Sequence, residues 1–309
     1  MTSPVDSDVT IVMPVFNAMP YLPEAVTSIQ NQTLKNWTLL AVNDGSADGS
    51  REFLDSVEDS RVRVIHQQNQ GPAAAFNRGL DMCSCPFVAR MDADDICHPQ
   101  RLATQLEFLN AHGNVGLVGS QIRPLGTCRE GRPSRLPTDH AEIYRALLNG
   151  RHALCNPTIM CRTEVLKKVG AYRPDGVLED WSMFLNVGEI AALANIDQVL
   201  LSYRIHPGST NSKHMAELRS RIAYASDRVR RRQSGEKPLQ YDEFLDRRRT
   251  APLWRRLIEA GNVRGMVQYR VAQFEILGSA VVKGYLRLAY ASLLAPSITW
   301  SRLARMMRG

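Results

Sequence analysis

The sequence lacks the motifs that mark several large classes of protein. Its six cysteines form no CxxC pair, and no histidine cluster accompanies them at zinc spacing, so neither a zinc site nor a disulfide framework is indicated. It contains neither GxGxxG after the first apolar run nor GxxxxGK[ST] anywhere, which argues against a dinucleotide dehydrogenase and a P-loop enzyme.

Segments that direct a chain into or across a membrane are also missing. No run reaches the roughly 20 apolar residues of a membrane-spanning helix. The first residues, MTSPVDSDVTIV, lack the basic and long apolar segments of a signal peptide. The cysteines are then expected to be reduced, mostly buried thiols. These absences predict a cytoplasmic protein.

The charge is distributed unevenly along the 309 residues. Residues 1–210 carry 18 Lys and Arg against 23 Asp and Glu, a net charge of −5. Residues 211–309 carry 20 against 8, a net charge of +12. The basic C-terminal third therefore indicates an anionic partner, either a membrane surface or a nucleic acid.

Apolar runs alternate with helical patterns over the first 120 residues. The run VTIVMPV at 9–15 is nearly continuous, as in strands that are buried on both faces. The pattern predicts strands at 9–15, 37–42, 61–65, 86–91 and 115–119, with a helix after each of the first four. This alternation predicts the α/β class, with a parallel sheet and right-handed crossovers.

The alternation loosens after residue 120. We expect helices at 139–149, at 163–169 and after Asp180, and strands at 157–161 and 199–205. After about residue 215 the chain is helical and arginine-rich in pattern, with a break at 234–238.

Polar side chains follow three of the predicted strands. Asn17, Asp44 and Asp92 each come just after a strand end, and the ligand crevice of a parallel sheet lies beyond those ends. We therefore expect the three to converge. Asp44, in VNDGSADGS, has two interpretations: it closes a turn, or its carboxylate accepts hydrogen bonds from a nucleobase or ribose.

The stretch MDADD concentrates carboxylates behind the strand at 86–91. Two aspartates about 5 Å apart repel by roughly 3 kcal/mol at an effective dielectric near 20, so something should compensate. In an extended segment Asp92 and Asp94 point the same way, and two hard oxygen ligands suit Mg²⁺ or Mn²⁺ shared with phosphates. The alternative is a solvated acidic turn that caps a helix starting at Pro99. The position after a strand favours the metal interpretation.

A set of motifs carries a family resemblance over roughly residues 8 to 212. In order they read TIVMPVFNAMPYLPEAVTSIQNQT, LLAVNDGSADGS, NQGPAAAFNRGL, VARMDADDICHPQRLATQLEFL, VGLVGS, NPTIMCR, LEDWSMFL and LLSYRIHPGSTNS. This series resembles the family 2 glycosyltransferases. The resemblance implies a GT-A fold, a Rossmann-like, mostly parallel central sheet flanked by helices, here with a basic helical C-terminal extension.

The resemblance also implies a reaction and roles for its residues. A sugar would move from a nucleotide donor to an acceptor hydroxyl with inversion. Asp92 and Asp94 would hold Mn²⁺ or Mg²⁺ with His206 nearby, and Asp180 would be the general base with Glu179 as its substitute. The nucleotide-sugar pocket would be formed by Pro14, Val15, Asn17, Asp44, Gly71, Asn77, Asp92 and Asp94.

Two positions depart from the family pattern. The family often places another acidic residue two positions after the base, where this chain has Ser182. A histidine often precedes the segment matching Asn156–Thr158, and the nearest one here is His152. Glu179 and Asp180 can also be read as a helix-capping pair, and the capping and base roles are compatible.

Two interpretations stay open for residues 216–309. They form either a helical cap with a solvated arginine face, or a peripheral membrane anchor for a chain that acts on a lipid-linked acceptor. A helix from Ile276 would place Lys283 and Arg287 in one cationic stripe beside apolar residues, which suits the bilayer interface. Nucleic acid is disfavoured, because no recognised module accompanies the arginines at 228–232.

The sequence thus predicts a metal-dependent inverting glycosyltransferase in polysaccharide or glycolipid assembly, with a catalytic domain over 1–215 and a basic region over 216–309. The alternatives are a sugar-nucleotide pyrophosphorylase and a non-catalytic nucleotide-sugar-binding module. A pyrophosphorylase would call for a glycine-rich loop and basic residues at the first strand end, where this chain has Val-Phe-Asn-Ala.

Overall fold

The eight strands found among the described residues form one sheet. The structure is a computed structural model and describes residues 7–172, 179–206 and 215–296. In chain order the strands are β1 (Val9–Val15), β2 (Trp37–Asp44), β3 (Val62–Gln67), β4 (Phe87–Arg90), β5 (Ile96–Cys97), β6 (Val115–Leu125), β7 (Met160–Arg162) and β8 (Ala192–Arg204). Their order across the sheet is β3-β2-β1-β4-β7-β6-β8-β5.

Strands β1 to β4 form the parallel part of the sheet. β1 lies between β2 and β4, and β3 pairs with β2, all in parallel register. The chain crosses between them through α1 (Leu22–Gln30), α2 (Ser50–Asp55) and α3 (Pro72–Asp81). Every residue of β2 is buried, in agreement with the apolar run at 39–42, which does not alternate with polar residues. The predicted α/β class and parallel crossovers are confirmed here.

The later strands pair differently from the expectation. β7 lies antiparallel between β4 and β6, and β5 pairs antiparallel with β8. The strand expected at 115–119, which is β6, therefore does not pair in parallel with β4, because β7 lies between them. The strand expected at 157–161 starts only at Met160, since Pro157 lies in a 3₁₀ turn over Asn156–Thr158.

Helices flank the sheet where the pattern placed them. They are α4 (Arg101–Ala111), α5 (His140–Leu148), α6 (Thr163–Lys168) and α7 (Glu179–Ile190). α4 begins two residues after Pro99, with Gln100 between them, so Pro99 is not the first helical residue as expected.

The C-terminal part of the described chain is helical, as predicted, with α8 (Met215–Gln233), α9 (Tyr241–Arg249), α10 (Leu253–Leu277) and α11 (Val281–Leu294). The prediction of one continuous helix from Ile276 onward is wrong, because α10 ends at Leu277 and a new helix starts at Val281. None of the helices in the described part of the chain is both long and apolar enough to cross a membrane.

The chain divides into two compact units. One comprises Met1–Ile122 and Leu136–Tyr203, and the other Arg123–Arg135 and Arg204–Gly309. The first has its core between the sheet and its helices, with Trp37, Leu39 and Met13 buried. The second includes a small core between α10 and α11, formed by Tyr269, Ala272, Leu288 and Ala291.

Candidate active site

The loops that follow β1 and β2 are joined by hydrogen bonds. Asn17 has a φ of 48°, and its Oδ1 accepts a hydrogen bond from the Ala47 N–H at 2.9 Å. Its own N–H donates to Ser46 Oγ at 3.0 Å. Asn17 and the turn behind Asp44 are thus brought together at the carboxyl ends of the parallel strands, as expected.

Asp48 is a second link between these loops, and the sequence reading missed it. Its carboxylate accepts from the Met19 N–H at 2.8 Å and from Ser50 Oγ at 2.6 Å. Burial opposes ionisation, but the hydrogen bonds from Ser50 and Met19 outweigh it and lower the pKa of Asp48. The repeated Asp-Gly-Ser of DGSADGS could have indicated this role, because Asp-Gly favours a chain turn and the aspartate can accept hydrogen bonds from neighbouring loops.

Asp44 holds a third loop. Its buried carboxylate accepts hydrogen bonds from Gln67 Nε2 at 2.7 Å, the Gln70 N–H at 2.9 Å and the Gly71 N–H at 2.8 Å. Gly71 has a φ of 90°, a conformation that favours glycine, and it directly precedes α3. Asp44 therefore fixes the conformation of the loop before α3, and its contact with a nucleotide stays a prediction.

Replacing Asp44 by alanine should lower the free energy of unfolding by about 2–4 kcal/mol, because three donors lose a charged, buried acceptor. Urea unfolding of the variant and the parent measures this difference. The matched control is Asp81→Ala, which removes an exposed aspartate and should change stability by less than about 0.5 kcal/mol. Equal unfolding midpoints for Asp44→Ala and the parent would contradict the role given to this carboxylate.

Three other predicted pocket residues occupy the same unit. Pro14 is half-buried and Val15 is buried at the end of β1. Asn77, on α3, forms two hydrogen bonds with the backbone of Tyr172, donating through Nδ2 and accepting through Oδ1. Asn77 thus fastens α3 to the segment at Tyr172, and its place in the nucleotide pocket stays a prediction.

The acidic stretch forms a turn after β4. The Asp95 N–H donates to the Asp92 carbonyl at 3.4 Å, and residues 93–94 turn the chain toward the short β5. The expectation of an extended segment at Asp92–Asp94 was therefore wrong, because residues 93–94 form a turn before β5, which pairs with β8. Asp92 and Asp94 are half-buried, while Asp95 is buried.

Arg90, the last residue of β4, supplies part of the charge compensation for this stretch. Its Nε donates to Asp92 Oδ1 at 2.9 Å, and the guanidinium is buried. The Arg90 Cζ atom lies 5.4 Å from the ring centre of Phe76 and 5.2 Å from that of Tyr172. Burial opposes the charge, but Asp92 and Tyr172 raise the pKa of Arg90, so it remains a fixed cation.

Asp180 lies at the N-terminus of α7, where its Oδ1 accepts from the Trp181 N–H at 2.8 Å. Burial raises the pKa of this carboxyl, the Arg90 charge lowers it and the Asp92 charge raises it. The structure thus brings Asp180, Arg90 and Asp92 within reach of one another's charges. Glu179 is the first residue of α7, and its side chain lies outside the described part of the chain.

Aromatic rings line this region. The Tyr172 hydroxyl donates to Asn156 Oδ1 at 2.6 Å, and its ring meets Phe76 edge-on, with centroids 4.7 Å apart. The His152 ring stands edge-on to Trp181, with centroids 5.2 Å apart. His152, which had no assigned role, therefore lies beside the residue that follows Asp180.

The acidic turn is chemically suited to a divalent cation. Asp92 and Asp94 offer two half-buried carboxylates from one turn, and no group of three or more His, Cys, Asp or Glu ligands occurs among the described residues. Mg²⁺ and Mn²⁺ are commonly held by one or two carboxylates plus water and substrate phosphates, which fits such a pair. His206 is half-buried and belongs to the second compact unit, and its metal role stays a prediction.

Comparison with known sequences gives one consistent class of protein. The family model described as Glycosyl transferase family 2 matches residues 10–170. An uncharacterised glycosyltransferase of Haemophilus influenzae is 28% identical over 225 residues, which cover 68% of this chain and 69% of that protein. The amylovoran biosynthesis glycosyltransferase AmsE of Erwinia amylovora is 26% identical over 198 residues, covering 62% and 73%.

Solved structures resemble the fold. TarS 1–349 of S. aureus, in complex with UDP-GlcNAc, superposes with a TM-score of 0.62 at 17% identity and covers 93% of this chain and 91% of its own. The mannosyltransferase PcManGT of Pyrobaculum calidifontis, in complex with GDP-Man and Mn²⁺, gives 0.55 at 16% identity and covers 98% and 80%. The likeness confirms the expected fold.

Proposed function

The chain belongs to glycosyl transferase family 2, and from that premise we propose that this glycosyltransferase moves a sugar from a nucleoside diphosphate donor to an acceptor hydroxyl with inversion at the anomeric carbon. The observation that carries the proposal is the grouping of Asp180 with Arg90 and Asp92. A single displacement needs a group that takes the acceptor proton and a means of binding the leaving diphosphate. Asp180 would be the first, and Asp92 would help to hold a cation for the second.

The residues of the site divide the tasks of this mechanism among them. Asp180 accepts the proton of the attacking hydroxyl, a role for which an ionised carboxylate within hydrogen-bond reach is suited. Arg90 holds Asp92 in place, and its charge lowers the pKa of Asp180 against the effect of burial. Asn17 and Asp44, with the loops they fasten, form the floor of the nucleotide pocket. Asp92 and Asp94 would hold Mn²⁺ or Mg²⁺, which would neutralise charge on the departing diphosphate.

The acceptor and the donor are proposed by class. AmsE is named for amylovoran biosynthesis, which supports a surface polysaccharide or glycolipid as the acceptor here. The two solved neighbours carry UDP-GlcNAc and GDP-Man, so uridine and guanosine donors are the first to test. We also propose that residues 1–215 form the catalytic domain and that the basic region over 216–309 attaches the enzyme to the membrane that carries its acceptor.

A panel of nucleotide sugars tests the function. One donor should be hydrolysed slowly in the absence of acceptor with Mn²⁺ present, and chelation of the metal should lower that rate by about a hundredfold or more, because charge on the leaving group is then uncompensated. Asp94→Asn should show the same loss, whereas the matched Asp81→Asn should not. Exchange of pyrophosphate into the donor would instead show a pyrophosphorylase, and donor binding without turnover a non-catalytic module.

A further inference from the structure

Helix α11 is apolar on the side that faces α10. Its residues Gly284, Leu288 and Ala291 are buried, and Leu288 and Ala291 pack with Tyr269 and Ala272 of α10. The two helices approach closely: a Cβ placed on Gly265 would lie 2.5 Å from the Cβ of Ala295, and one on Gly284 would lie 2.6 Å from Ile276 Cγ1. This side of α11 is therefore fully used in forming the hairpin.

The opposite side of α11 is also apolar, and it is exposed. Its residues recur every three or four positions and so form one stripe, here called the α11 stripe: Val282, Tyr285, Leu286, Ala289, Tyr290 and Leu293. The five larger ones are between 52 and 81% exposed. The stripe contains no charged residue. A contiguous apolar patch on the surface normally marks a site of interaction with a protein or with lipid, so the α11 stripe marks a surface that something covers.

The charges around the hairpin differ from the sequence-based expectation. Arg287 forms a bidentate ion pair with Glu275, with N···O distances of 2.9 and 3.1 Å. It also donates a hydrogen bond to Gln268 Oε1 at 2.7 Å. It therefore fastens α11 to α10. Lys283 remains at the border of the α11 stripe, with its side chain 68% exposed and its Nζ 3.5 Å from Glu275.

The other end of the hairpin combines exposed apolar and cationic side chains. The first turns of α10 expose Leu253, Trp254, Leu257 and Ile258 together with Arg255 and Arg256. A Cβ on Gly261, one turn further along, would lie 3.0 Å from the Leu294 carbonyl, so these turns lie beside the end of α11. Tryptophan and arginine next to aliphatic residues are the composition of a helix at a lipid interface.

We propose that the α11 stripe and the first turns of α10 dock on an anionic lipid bilayer. The apolar stripe would enter the boundary between headgroups and acyl chains, where the two tyrosine hydroxyls can stay hydrated. The net charge of +12 over residues 211–309 attracts anionic headgroups, and it disfavours pairing with a second copy of the same basic surface. This proposal names the surface by which residues 216–309 would attach to the membrane, and its biological role rests on the proposed function of the enzyme.

Vesicle co-sedimentation of the full chain tests the proposal. The chain should bind vesicles of phosphatidylglycerol and phosphatidylcholine in equal parts far better than pure phosphatidylcholine. The double variant Leu286→Ser/Leu293→Ser should bind the mixed vesicles at least about tenfold less, because two large side chains no longer enter the lipid. Arg255→Gln/Arg256→Gln should lose several-fold and show weaker salt dependence.

The matched control is Met82→Ser/Ile190→Ser, which removes two exposed apolar side chains from the first unit and should leave vesicle binding unchanged. Donor hydrolysis, measured without lipid, should be equal in all variants, so failure of the docking surface and failure of the proposed reaction give separate results. Equal vesicle binding by Leu286→Ser/Leu293→Ser and the parent would overturn the proposal. So would light scattering that shows a dimer for the parent and a monomer for that variant, since the occupant would then be a second copy.

Discussion

Asp180→Asn is expected to lower kcat by about a thousandfold and to leave the KM for the donor within a few-fold of the parent value. A general base contributes roughly 10²- to 10⁴-fold to a proton transfer, and an amide cannot take the proton. The substitution is nearly isosteric, and the asparagine Oδ1 can still accept from the Trp181 N–H as Asp180 does. The loss should therefore appear in kcat, measured with the donor and acceptor found by the panel.

Asp139→Asn is a closely matched control for this variant. Asp139 is also an aspartate at a helix N-terminus, where its carboxylate accepts from the Glu142 N–H at 3.0 Å. Asparagine is as good a cap as aspartate, so this control should keep both stability and kcat. A kcat for Asp180→Asn close to that of Asp139→Asn would remove Asp180 from the base role. Glu179→Gln would then be the next variant to measure.

The same carboxylate predicts the acid side of the pH profile. Burial raises the pKa of Asp180 above the usual value of an aspartate, with Arg90 acting in the opposite direction. A base works only when it is ionised, so activity should rise with pH through this raised pKa. The rise should therefore lie at higher pH than an exposed aspartate would give.

Sequence patterns predicted the parts of this protein that depend on local chemistry. Continuous apolar runs located β1 and β2 and placed Asn17 and Asp44 at the carboxyl ends of these strands. The antiparallel insertion of β7 was not predictable in this way. It joins Phe87 with Arg162, 75 positions apart in the sequence, and short strands carry no sign of their partners.

The parts of the candidate site that the sequence did not reveal depend on tertiary contacts. Asp92 and Asp94 were interpreted as a pair whose repulsion a divalent cation would relieve, yet Asp92 is also bound by Arg90 two residues before it. The buried position of Arg90 depends on Phe76 from α3 and on Tyr172, 82 positions later in the sequence. Likewise, the sequence placed Arg287 in a cationic stripe that would contact lipid. In the structure the chain turns after Leu277, and Arg287 pairs with Glu275 instead.

Arg90 gives the second large prediction. Arg90→Met should lower kcat/KM by roughly a hundredfold, because Asp92 loses the cation that positions it and Asp180 loses the charge that favours its ionised form. Methionine is apolar and of similar length, so it can pack against the Phe76 and Tyr172 rings as Arg90 does. Without the Arg90 charge the pKa of Asp180 rises further, and the acid side of the pH profile should move to higher pH.

Two further variants separate this role from a loss of stability. Arg90→Lys keeps the charge, and it should restore the acid side of the profile toward the parent while kcat/KM recovers only in part, since lysine lacks the planar guanidinium. Arg162→Met is the matched control: Arg162 also packs on an aromatic ring, that of Phe87 at 5.5 Å, and donates only to backbone carbonyls, such as that of Val115 at 2.9 Å. It should lower stability and leave the pH profile in place. If Arg90→Met and Arg162→Met show the same unshifted profile, Arg90 is a packing residue with no influence on the base.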